Sequence, residues 1–162
     1  MLTNISSLPD HSRIWVFSAD RKLTAAESHE LLTIIDTYLA DWQAHKAPVQ
    51  AARDLRYDQF LIIAANPDVT APSGCSIDDM TRAIKALSAK FNVDFFNAMK
   101  VFYKDGVEIR CVSRAKFAEI GTPETIVFDN SITSLAALRE GKWETAAMNS
   151  WHAQLLKQPA MA

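Results

Sequence analysis

Residues 60–65 read Phe60-Leu61-Ile62-Ile63-Ala64-Ala65, six apolar side chains in succession. Side chains of a strand alternate between faces, so an unbroken apolar run needs cover on both. This predicts a central strand with structure packed above and below it. The run closes a longer segment, Leu55 to Ala65, read as strand two, which Asn66-Pro67 ends.

The neighbouring signals place helices and further strands. Arg13 to Ser18 is rich in β-branched and aromatic residues and reads as strand one. Thr24-Ala25-Ala26-Glu27 is a capping box, followed by Leu31, Ile35, Tyr38 and Trp42 at helical spacing as far as about His45. A second helix is expected from about Ser76, with Ile77, Met80, Ile84, Leu87 and Phe91 as its apolar stripe. Lys104-Asp105-Gly106 between two apolar runs signals a hairpin, with Cys111 facing the core beside Val107 and Ile109. Ser113 caps a short helix, Thr125 to Phe128 reads as a short strand, and Ser134 to Leu156 reads as a helical tail broken near Gly141.

These readings give an α+β domain over 13–157, of order β-α-β-α-β-β-α with a helical tail. A loose leader is expected over 1–12 and a flexible end over 158–162. Strands one and two, joined by a helix, are expected to be parallel neighbours or near neighbours. With the antiparallel hairpin they make a mixed sheet of four to five strands. The tail places Trp143, Ala147, Trp151 and Leu155 at steps of four, a stripe that docks on the domain's own sheet or on a partner.

Charge and cysteine usage narrow the function classes. The 17 Lys and Arg against 19 Asp and Glu are scattered, so no basic patch for nucleic acid is expected. The apolar runs are too short for membrane insertion, and no signal peptide precedes strand one. Two cysteines in unlike contexts indicate a reducing, cytoplasmic home. No metal-binding spacing occurs, and no cofactor is indicated.

The segment Ser73-Gly74-Cys75-Ser76-Ile77-Asp78-Asp79 holds the main chemical candidates. It lies where a loop enters a helix, and free amides there favour anions and thiolates. Cys75 is a candidate nucleophile, and Ser73, Gly74, Ser76 and Asp78 are candidate ligand contacts. Ser76 is expected to cap the helix, with Asp79 reaching back. A nucleophilic thiol needs a base, and His152 is the freest histidine for it. Arg56 and Asp58, two apart on a strand, are expected to share a side and either pair or bind a ligand. Phe128-Asp129-Asn130 suits a pocket edge or a turn.

Several of these segments together resemble one family. They are Trp42-x-x-His45, Arg56-Tyr57-Asp58-Gln59-Phe60, Ser73 to Asp78, Val93-Asp94-Phe95-Phe96, Phe128-Asp129-Asn130 and Ser150-Trp151-His152. Over roughly residues 10–156 the chain resembles small Bacteroidetes proteins commonly labelled "ABC transporter ATPase". The resemblance brings no catalytic residues with it. The ATPase label does not fit the residues. A phosphate-cradling loop needs G-x-x-x-x-G-K-[ST], and the one Gly-Lys pair, Gly141-Lys142, continues with Trp143 and has Ala136 five places before Gly141. The expected function is a non-catalytic module that binds a protein partner or self-associates through the tail or an open sheet edge. The alternative is a small-molecule, anion-binding or thiol-dependent enzyme with its site at Ser73–Asp79.

Overall fold

Thr24 and Glu27 close the expected capping box. The Thr24 hydroxyl accepts from the Glu27 amide at 3.1 Å, and the Glu27 carboxylate accepts from the Thr24 amide at 2.9 Å. From this cap runs α1, Ala25–Ala40, with Leu31, Ile35 and Leu39 fully buried. The helix stops five residues short of His45. His45 and Lys46 both adopt positive φ, 51° and 66°, and turn a small ribbon of β2 (Gln43–Ala44) and β3 (Ala47–Pro48). The computed structural model describes residues 1–157, and the end expected to be flexible, 158–162, lies outside the described residues.

The strand expected over 55–65 is a hairpin. Tyr57 and Asp58 take positive φ, 56° and 50°, and the Gln59 amide donates to the Arg56 carbonyl at 3.1 Å. The turn separates β4 (Gln50–Arg56) from β5 (Phe60–Asn66). With β1, Arg13–Ser18, they form a sheet of order β1-β5-β4 in which both neighbour pairs are antiparallel. The extra reversal corrects the parallel pairing expected for the apolar run. It is β4 that runs parallel to β1, with β5 between them. The central position of the run itself holds, since all seven β5 residues are buried. Leu61, Ile63 and Ala65 share one core cluster with the α1 stripe and with Met80, Ile84, Leu87 and Phe91 of α2, Gly74–Phe91.

Residues 1–12 are built in rather than loose. Leu2 bridges Ala51 in parallel, Ile5–Ser7 form a 3-10 turn capped by Asn4, and Leu8 and Ser12 are buried. Together with residues 13–97 and 133–136 they make one compact unit.

The second unit takes residues 98–132 and, among the described residues, 137–157. Its sheet has the order β7-β6-β8-β9, again antiparallel throughout, so among the described residues the expected mixed sheet is replaced by two antiparallel sheets and the antiparallel β2–β3 ribbon. The strands are β6 (Lys100–Asp105), β7 (Glu108–Ser113), β8 (Ile126–Phe128) and β9 (Glu144–Ala146). The β6–β7 hairpin turns on Gly106-Val107 instead of Asp105-Gly106, because Asp105 pairs with Glu108. Only the first turn residue then needs positive φ, and Gly106 supplies it at 62°. Cys111 is half-buried. Ser113 caps α3, Arg114–Ile120, as expected.

The tail is not one helix. After the short α4, Leu135–Arg139, Gly141 at φ 76° reverses the chain, β9 joins the sheet, and two 3-10 turns follow. Trp143 precedes β9, Ala147 opens the first 3-10 turn, and Trp151 and Leu155 bound the second, so their spacing of four is not one helical stripe. Ala147, Trp151 and Leu155 pack with Val101, Phe117 and Val127. No helix among the described residues is long and apolar enough to cross a membrane. The chain is α+β.

Candidate functional site

The start of α2 spends its polar groups on its own cap. Ser73, not Ser76, is the capping residue. Its hydroxyl accepts from the Ser76 amide at 3.2 Å, and the Ser76 hydroxyl lies 2.8 Å from the Ser73 amide. Asp79, instead of reaching back to the cap, accepts from the Tyr38 hydroxyl at 2.9 Å. Burial, reinforced by that carboxylate, raises the Tyr38 pKa. The buried Trp42 indole donates to the Ser76 carbonyl at 3.0 Å. Cys75 and Asp78 remain on the exposed face of this first turn. Gly74 opens the helix, and a Cβ there meets nothing within 4 Å, so no close approach demands glycine.

His152 belongs to the second unit, whereas Cys75 belongs to the first. It is a core side chain, 1% exposed. Trp151 stacks on its ring at a centroid distance of 4.0 Å, and Phe117 meets it edge-on at 6.0 Å. Its Nδ1 lies 2.7 Å from the Ser150 hydroxyl. Burial pushes the imidazole down to about 4, with Arg114 acting in the same direction and Asp129 against it. A neutral imidazole packed in this way completes the core of its own unit. Asp129 and Asn130 form a turn: Asp129 accepts from the Ser131 amide, and Asn130 accepts from the Trp143 indole at 2.9 Å.

Arg56 and Asp58 do not share a strand, because β4 ends at Arg56. Asp58 sits in the αL turn, and Arg56 pairs with Asp54 at 2.8 Å. That pair lies on β4, an edge strand whose outer main chain is only partly used. The Ala51 amide donates to the Met1 carbonyl at 3.0 Å, and its carbonyl accepts from the Thr3 amide at 2.8 Å. Main-chain groups alternate sides along a strand, so those of Arg53 and Leu55 face the same open side. Among the described residues no backbone group pairs with them there.

The N-terminal segment leaves this edge after one bridge because Asn4 starts a tight turn. Its side-chain oxygen accepts from the Ser6 amide at 2.9 Å. The departure opens a groove of about 340 Å³ lined by Leu2, Thr3, Asn4, Ile5, Asp36, Arg53 and Asp54. Arg53 grips Asp36 with two bonds of 2.7 Å, which raises the Arg53 pKa. The groove thus contains ion pairs already made, and its unmet capacity is the main chain of β4.

No family model, curated protein or solved structure matches this chain. Among the described residues, no group of three or more His, Cys, Asp and Glu side chains is placed to hold a metal ion. Arg53, Asp54, Asp36 and the 1–5 segment were not singled out by the sequence, because 55–65 read as one strand. The available signal was Arg53 to Arg56, polar and charged residues around Leu55, followed by Asp58, a residue type that tolerates αL.

Proposed function

We propose that this chain is a non-catalytic, cytoplasmic protein-interaction module that takes an extended main-chain segment along the open edge of β4. The carrying observation is the Arg53–Leu55 edge, unpaired by any backbone group among the described residues, beside a groove from which the protein's own N-terminal segment has turned away. An extended segment added there satisfies donors and acceptors that otherwise face solvent. Two cysteines outside any disulfide, Cys75 exposed and Cys111 half-buried, suit a reducing compartment. The scattered charge and net −2 favour a protein partner over nucleic acid. The alternative at Ser73–Asp79 finds both serines used in the cap and Asp79 held by Tyr38.

The test compares Arg53→Ala with Arg53→Pro. Both lose the Asp36 pair, but only proline removes the outward N–H, and an edge strand tolerates it. Heptapeptides selected from a random display library against the wild-type chain are expected to bind Arg53→Ala nearly as well. They are expected to bind Arg53→Pro about tenfold more weakly, with near-UV circular dichroism unchanged. Equal binding to both variants, or failure to select any peptide, overturns the reading.

A further inference from the structure

We infer that the segment received by this edge is the β4 edge of a second copy, the two strands pairing antiparallel about a two-fold axis at Leu55. The inference rests on the reading of β4 as an open edge and adds the occupant and its register.

A symmetric antiparallel pair places one residue opposite itself. A centre at Arg53 sets cation against cation and runs into the Thr3 segment on Ala51. A centre at Asp54 sets two carboxylates in direct opposition, which is destabilising. A centre at Leu55 does neither. Leu55 faces Leu55 as a hydrogen-bonded pair, because its N–H and C=O point outward. Asp54 then faces Arg56 on both sides as non-hydrogen-bonded pairs, the closer of the two geometries. Within each chain Arg56 already contacts Asp54 at 2.8 Å, so the four side chains close a ring of alternating charge. Charges on an edge usually repel generic pairing. Here their order admits one symmetric register.

The next step along this register brings the groove into use. Antiparallel pairing carries each copy's Tyr57-Asp58 tip toward the other's Thr3–Asn4 end, with Tyr57 opposite Arg53. Tyr57 is 43% exposed at that tip. Its ring against the Arg53 guanidinium makes a cation–π contact inside the groove. Two tips enter two grooves, and the contact closes as a dimer. The surface engaged is short, which places the dimer in the weak, transient class.

Sedimentation equilibrium of the full chain tests this. Wild type is expected to self-associate reversibly. Asp54→Arg sets Arg against Arg twice, and Arg56→Asp sets Asp against Asp twice. Each variant, folded by near-UV circular dichroism, is expected to associate at least about tenfold more weakly. Mixed in equal amounts, they place every new cation opposite an anion. The mixture is expected to associate at least about tenfold more tightly than either alone. A wild-type chain monomeric at high concentration, variants that associate like wild type, or a mixture without recovery each overturns the inference. If it falls while selected heptapeptides still distinguish Arg53→Ala from Arg53→Pro, the open-edge reading stands with another occupant. If the heptapeptides fail too, both fall.

Discussion

Trp42 shows how one residue serves two layers of packing. It lies past the end of α1, fully buried, with Trp15 edge-on at 6.0 Å and its indole N–H on the Ser76 carbonyl. Trp42→Phe keeps most of the packing and loses the hydrogen bond, so a loss of about 1–2 kcal/mol is expected in urea unfolding. Trp42→Ala also opens a cavity and is expected to cost about 3–5 kcal/mol. His152 gives the fold a dependence on pH. Its folded value is about 4 against an ordinary 6.5, so the unfolded chain binds the proton more readily between the two. That contribution is complete above pH 6.5 and is lost as pH falls toward 4. It amounts to about 2 kcal/mol between pH 7 and pH 5, and His152→Gln is expected to flatten that part of the profile. The apolar character of Trp42 was legible in the sequence. The burial of His152 was not, because nothing near it in sequence shows that Phe117 will meet its ring.

At the scale of elements, caps and turns decide where helices and strands begin. Thr24-x-x-Glu27 is the common form of the capping box and was readable directly. Ser73-x-x-Ser76 performs the same exchange with serine in the far position, so the start of α2 was read two residues late. Ser73→Ala is expected to cost about 1 kcal/mol, measured by urea unfolding. Cys75→Ala, on the exposed side of the same turn, is expected to stay within about 0.5 kcal/mol of wild type. The β4–β5 turn was missed because its central residues are Tyr57 and Asp58 rather than Asn-Gly. Both hold the αL conformation, which L-residues resist. Asp58→Gly relieves part of that resistance and is expected to raise stability by several tenths to about 1 kcal/mol. A lower midpoint for Asp58→Gly argues against a strained turn.

For the whole molecule, the small net charge opposes association only weakly, and the ring of Asp54 and Arg56 sets its salt dependence. Exposed charges are screened beyond about 10 Å at 0.1 M salt and about 3 Å at 1 M. Self-association is therefore expected to weaken several-fold between those conditions, and strengthening with salt points instead to an apolar interface. The α+β class, the β5 strand covered on both faces, the capped α1 and the presence of a hairpin at Gly106 could be read in order along the chain, because each depends on residues a few places apart. The position of β5 between β1 and β4, the folding of the tail into β9 and 3-10 turns, and the anchoring of residues 1–8 could not. Those features depend on pairings across tens of residues, where burial selects among registers that local backbone preferences leave nearly equal. The free edge of β4 is of this second kind: a strand becomes an edge only when every other strand has found its neighbours.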